Sequence, residues 1–289
     1  MFDVARQADL CADDFLMLNL TNNAVFALPQ AGLVVRIPRS FGLDERVLKV
    51  FEIAQWFEQI DAPTIRLARH EMIETHGLHV TLWTYLPHTD GRPTTSHLGE
   101  VLREIHALPL PPFRLPEWNP VADARARIVD AEGLSKGDHA FLLDWCEELE
   151  PAIVELRSHG NHGLIHGDAH AGNLLFDCHG RTVMCDFDAV CAGPRGVDLA
   201  SVAVGDTRFR NTDKYESLKR AYGKDVKLLD EWPTLRQARE LKMIVAVVPY
   251  LNSGNGVQAE FNLRLDSIRQ NKLDVPWTPF AQLALRSSR

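Results

Sequence analysis

Leu164-Ile165-His166-Gly167-Asp168-Ala169-His170-Ala171-Gly172-Asn173-Leu174-Leu175-Phe176, followed by Val183-Met184-Cys185-Asp186-Phe187-Asp188, is the most chemically loaded segment of this chain. A short apolar strand delivers a loop dense in His, Asp and Asn, and a hairpin returns with Asp186 at its end. An Asp set near an Asn and a second Asp suits phosphoryl transfer. One carboxylate orients an attacking hydroxyl and accepts its proton, while the Asn oxygen and the other carboxylate hold Mg²⁺ on nucleotide phosphates. Hard oxygen donors match that hard cation. His162, His166 and His170 fall four apart, a spacing that suits zinc on a helix, but Gly163, Gly167 and Gly172 argue against a continuous helix there.

The protein-kinase catalytic loop reads H-x-D-x-x-x-x-N followed by D-F-G. This chain has His166-x-Asp168-x-x-x-x-Asn173, then Asp186-Phe187 with Asp188 in place of the glycine. More closely, His166 to Asn173 resembles the H-G-D-x-H-x-x-N loop of the aminoglycoside phosphotransferase family, small-molecule kinases of protein-kinase-like fold to which choline kinases are related. Val34-Val35-Arg36 looks like that family's phosphate-contacting strand, 82–86 like its run into the hinge, and Gly193-Pro194-Arg195-Gly196-Val197-Asp198-Leu199-Ala200 like its D-L-A segment.

The resemblance implies an α+β, two-lobed protein-kinase-like fold, with a nucleotide-binding β-rich lobe over 1–86, a hinge over 87–93 and a helical catalytic lobe over 94–289. It implies ATP and Mg²⁺ as cofactors and a small-molecule hydroxyl as acceptor. Asp168 is then the catalytic base, and Asn173 and Asp186 ligate Mg²⁺. Arg36 touches the nucleotide phosphates, and backbone groups of Thr84, Tyr85 and Leu86 meet the adenine. Asp198 braces the catalytic loop, with His166 and His170 as structural support.

The chain also departs from the family pattern. The family usually has Lys where Arg36 stands, and the helix acid expected to pair with it falls near Val50. Glu45 and Glu52 are the nearby substitutes. No Gly-rich phosphate loop is evident around Thr21-Asn22-Asn23. These gaps leave a nucleotide-binding pseudokinase or regulatory protein as the alternative. A protein kinase is disfavoured by the missing D-F-G glycine and A-P-E segment.

Around this centre, alternating and β-branched stretches predict strands at 24–28, 33–37, 65–67 and 78–86, and the first pair reads as a hairpin around Gly32. Apolar residues at helical spacing predict a helix over 44–59, with Asp44 and Glu45 favouring its dipole. Further helices are expected at 96–107, 121–132, 138–158, 212–222, 234–248 and 257–271, and short strands at 163–166, 174–176 and 182–185. Gly133-Leu134-Ser135-Lys136-Gly137 matches the G-x-S-x-G of hydrolase nucleophiles, but no strand precedes it; Ser135 reads instead as a helix cap with Asp138 three residues on.

The 289 residues, 45% hydrophobic and 24% charged, exclude disordered and low-complexity classes. A net charge of −8 repels nucleic-acid phosphates and anionic lipid, so neither is an expected partner. It mildly favours an amino alcohol or aminoglycoside over an anionic acceptor. Residues 243–251, the most apolar late stretch, contain Pro249 and fall short of the ~18 residues a membrane helix requires. Four acids among residues 1–14 do not read as a secretory signal, and five unpatterned cysteines suit a reducing compartment, so a cytoplasmic location is expected. The sequence names no oligomeric state.

Overall fold

The structure, a computed structural model, describes residues 2–10, 15–20, 23–87, 91–129, 131–159, 162–280 and 282–283. Backbone contacts divide the chain into two compact units, Met1–Arg114 with Ala171–Val190, and Leu115–His170 with Cys191–Arg289.

The first unit begins with helix α1 (Phe2–Ala8) and carries a five-stranded antiparallel sheet. Its strands are β1 (Leu16–Leu20), β2 (Asn23–Leu28), β3 (Leu33–Pro38), β4 (Ile73–Thr75) and β5 (Leu78–Thr84), in the order β1-β2-β3-β5-β4. The expected hairpin is β2–β3, closed by Leu28 opposite Leu33, and Gly32 supplies the left-handed turn conformation at φ 68°. Helix α2 (Asp44–Gln59) has the expected bounds and buries Val47, Val50, Phe51, Ile53, Ala54, Trp56 and Phe57. Strands β1 and β4 were not legible: β1 is exposed along its whole length and β4 has three residues, so neither carries a burial pattern. Residues 65–67 form no strand. They make one bridge, Leu67 with Trp83, and Ile65 N–H donates to Met184 O at 3.0 Å.

That last bond begins a seam. The hairpin β7 (Leu174–Phe176) and β8 (Thr182–Met184) is tied back to residues 63–65, with Met184 N–H donating to Pro63 O at 2.9 Å. Phe187 then buries its ring 5.2 Å from Phe57 and 5.9 Å from Trp83. These contacts join 171–190 to the sheet unit. Helix α3 (Thr95–Ala107), which packs on β8, joins the same unit. The contacts therefore divide the chain elsewhere than at the expected hinge, 87–93, of which residues 88–90 lie outside the described residues.

The second unit comprises α4 (Pro120–Val129), α5 (Lys136–His159), β6 (His162–Ile165), β9 (Cys191–Pro194), α6 (Gly196–Phe209), α7 (Thr212–Tyr222), α8 (Trp232–Val245) and α9 (Asn255–Arg269). Leu142, Trp145, Leu241, Ile244, Phe261 and Leu265 form its dry core. Ser135 caps α5, its hydroxyl accepting Asp138 N–H at 3.0 Å and donating to the Asp138 carboxylate at 2.6 Å. Strand β9 and helix α6 were not foreseen, because Cys-Ala-Gly-Pro has no strand signature and α6 carries two glycines. Gly193 lets β9 lie close: a Cβ there would fall 2.7 Å from Trp118 Cβ and 2.9 Å from Ile165 Cδ1. Among the described residues no helix is long and apolar enough to cross a membrane, and Cys146 and Cys178 are free thiols, with Cys11 outside the described residues.

Replacing Phe187 by Ala should lower unfolding stability by about 3–5 kcal/mol, since it empties a buried aromatic cluster. Urea denaturation of the full chain measures this, and a loss below about 1 kcal/mol would contradict the seam described here.

Candidate active site

In the second unit, the pairing of β6 with β9 sets Ile165 opposite Cys191, so the loop leaving β6 lies beside the start of α6. Asp198, in the first turn of α6 and 1% exposed, accepts the N–H groups of His166 at 2.7 Å and Gly167 at 2.8 Å. Gly167 sits at φ 76°, a left-handed conformation that other residues adopt only under strain. His166 is buried, and its Nδ1 accepts Asp168 N–H at 3.4 Å, which leaves the ring proton on Nε2 in the neutral form. Ser201 Oγ bonds Ala169 O, closing the far side of the loop. His170 is exposed.

The Asp168 carboxylate faces two cations from α8. Its Oδ1 accepts from Arg239 Nη1 at 3.2 Å and from Lys242 Nζ at 3.0 Å, and Lys242 also donates to Gly167 O at 2.8 Å. Burial pushes the Asp168 carboxyl upward, but the Lys242 and Arg239 charges outweigh it and hold the group well below the usual carboxylate range. Asp168 is thus held in its ionised form near neutral pH and accepts hydrogen bonds.

In the first unit, Leu174 pairs with Met184 and Cys185 N–H donates to Asn173 O at 2.9 Å. The hairpin therefore sets Asn173 and Asp186 side by side at one end. Asn173 is buried, while Asp186 is exposed and left-handed at φ 65°, ψ 71°, a conformation Asp tolerates better than most residues. Cys185 between them is no nucleophile: burial, with the neighbouring Asp186 charge, pushes its thiol up to about 12. An amide oxygen and a carboxylate fit Mg²⁺ chemically. No three His, Cys, Asp or Glu side chains gather as a cation cage among the described residues, so such an ion would complete its shell with phosphate oxygens and water.

Arg36 on β3 reaches Asp188 Oδ1 at 2.5 Å and lies 3.7 Å from Asp186 Oδ1. The Asn23 amide joins them; with its oxygen turned to Arg36 it accepts from Nε at 3.2 Å and Nη2 at 2.7 Å. Lys49 of α2 donates to Asp188 O at 2.6 Å and Val190 O at 3.1 Å, clamping the same turn from its backbone side. The acid sought on α2 therefore comes from position 188. Val50 is buried and apolar, and Glu45 and Glu52 are exposed. In the segment expected to meet adenine, Thr84 N–H donates to Arg66 O at 3.0 Å and Tyr85 N–H to Gly32 O at 2.9 Å, so two of its three backbone donors are already spent.

The model of the phosphotransferase enzyme family, APH, matches residues 19–241. The chain belongs to this family. It is a phosphotransferase enzyme, and its fold is protein-kinase-like, with an antiparallel sheet unit and a helical unit. The choline kinase LicA from Streptococcus pneumoniae is similar over 92% of this chain and 98% of its own, with TM-score 0.66 and 12% identity. The aminoglycoside phosphotransferase APH(3'')-Id from Streptomyces rimosus, also known in complex with ADP and streptomycin, is similar over 83% of this chain and 97% of its own, with TM-score 0.63 and 15% identity. A choline/ethanolamine kinase family protein from Mesorhizobium loti is similar over 93% of this chain and 94% of its own, with TM-score 0.61 and 17% identity. Among curated protein sequences none matches significantly.

Sequence reasoning about this phosphotransferase missed Arg239, Lys242, Lys49 and Asn23. The one available signal was the recurrence of Arg236, Arg239 and Lys242 every three residues along a predicted helix, a basic stripe on one face. A double-mutant cycle on Arg36→Met and Asp188→Asn should show a coupling of about 1 kcal/mol or more in urea denaturation, whereas additivity within ~0.5 kcal/mol would contradict the pairing.

Proposed function

We propose that this phosphotransferase moves the γ-phosphoryl group of ATP to a hydroxyl of a small molecule, with Asp168 as the catalytic base. One observation carries the reading: Asp168 is ionised and held at the head of a loop braced by Asp198. In that position the carboxylate orients the acceptor hydroxyl and takes its proton as the new O–P bond forms. The transition state is loose, so the protein contributes chiefly by positioning and charge. Asn173 and Asp186 are the residues to hold Mg²⁺, which when bound supplies neutralisation of phosphate charge.

Arg36 has donors beyond those facing Asp188 and Asn23 and is the candidate phosphate contact; its planar fork suits that role. Leu86 N–H, without a backbone partner among the described residues, is the candidate donor for adenine in its segment. Nucleotide use is supported by the similar Streptomyces rimosus enzyme, which binds ADP. Of the two motives for the pseudokinase alternative, Arg36 and the missing helix acid, the second is weakened by the Arg36–Asp188 pair.

Asp168→Ala should reduce kcat about 10²–10⁴-fold in an ADP-release screen across aminoglycosides, amino alcohols, sugars and nucleosides, while Mg-ADP affinity stays within about threefold. Substantial residual turnover would sink the assignment. The pH profile gives a second check. Because the Asp168 carboxyl is held low, it should add no acid limb to kcat above about pH 4. Lys242→Met removes one cation, lets burial raise the carboxyl, and should move an acid limb upward so that activity falls earlier as pH drops. An unmoved limb would show that Asp168 does not set the profile.

A further inference from the structure

Charge around Asp168 does not balance. One carboxylate faces two cations, Arg239 at 3.2 Å and Lys242 at 3.0 Å, and both donate to the same oxygen, Oδ1. They stand three residues apart on α8, on one face of a rigid helix. Arg236, a turn earlier, offers no relief: it is spent on Glu240 at 2.6 Å, whose other oxygen takes buried Arg208 at 2.6 Å.

Donors are left over as well. Arg239 is only 20% exposed, yet its Nε is buried without a hydrogen-bond partner among the described residues. Folded proteins rarely leave a buried guanidinium N–H unpaired. The Nε–Nη2 edge is one of the two that can grip a carboxylate or phosphate at two points. Lys242, 42% exposed, has three N–H donors, and Gly167 O and Asp168 Oδ1 account for two.

We infer that Arg239 and Lys242 form an oxyanion subsite beside the base, so that the acceptor is a hydroxyl compound that also carries a carboxylate or phosphate group. This rests on Asp168 acting as the base. A polycationic acceptor would bring its ammonium groups against two fixed cations of the same sign. The overall charge of −8, which leaned toward cationic acceptors, sums a whole surface, whereas recognition at Asp168 is set by groups within a few ångströms.

The test titrates the full-length protein, saturated with Mg-ADP, with inorganic phosphate and separately with acetate. Saturable binding of at least one probe is expected, weakened about tenfold or more in Arg239→Gln and in Lys242→Gln, with Mg-ADP affinity unchanged. Binding that is absent, or equal in wild type and both variants, overturns the inference. Variants that lose Mg-ADP affinity instead assign the cations to the nucleotide, which also overturns it. The tighter of the two probes identifies the group. Lys242→Gln, at the more exposed position, keeps the test valid if Arg239→Gln does not fold. A companion assay compares glycerol 3-phosphate with glycerol, choline and streptomycin as acceptors. Preference for a cationic acceptor defeats the subsite and leaves phosphoryl transfer standing. Failure of the wild type to bind Mg-ADP defeats the phosphotransfer reading instead, and the phosphate titration without nucleotide still decides the subsite.

Discussion

The Asp198 carboxylate, almost wholly buried, receives the N–H groups of two successive residues, His166 and Gly167. A buried carboxylate is tolerable only when donors satisfy it, and buried backbone N–H groups are tolerable only when accepted, so each side of this interaction removes the cost of the other. The result fixes the direction in which the chain leaves β6. Residue 167 must then turn left-handed, which glycine does without strain, and Asp168 is delivered at a defined place. The β6–β9 pairing and the absent Cβ of Gly193 serve this contact by bringing the start of α6 beside the loop.

Two clusters then share one design, an aspartate held by cations. In the helical unit Lys242 and Arg239 hold the Asp168 carboxyl low, against the desolvation that pushes it upward. In the sheet unit Arg36 is oriented by Asp188 and Asn23, with Lys49 on the backbone of the same turn. Arg36 and Asp188 read together as one pair: the forked guanidinium meets its acid in the turn after Phe187. Phe187 holds that turn by its burial among Phe57 and Trp83.

Much of the fold was legible because local signals agreed with it. The stripe of α2, the hairpin around Gly32 and the Ser135–Asp138 cap are short-range patterns, and the structure keeps them. Strands β1 and β9 and helix α6 were not, since exposure, brevity or glycine content erased their period. The loop from His166 to Asn173 and the return at Asp186 were readable as chemistry because the residue types and spacing match what a phosphoryl-transfer site requires.

By itself the chain's order of residues determined the chemical kit, an Asp, an Asn and a second Asp on a strand-loop-hairpin with a cation on β3, and the family whose model matches it. The tertiary structure alone decided which charges those residues feel. Arg239 and Lys242 lie more than seventy positions from Asp168 in sequence, and Asp188 lies 152 from Arg36. Coulomb interaction acts over a few ångströms of space without regard to chain separation. Residue type therefore names a candidate base or clamp, but packing sets its charge state, its spare donors and the kind of molecule it can accept.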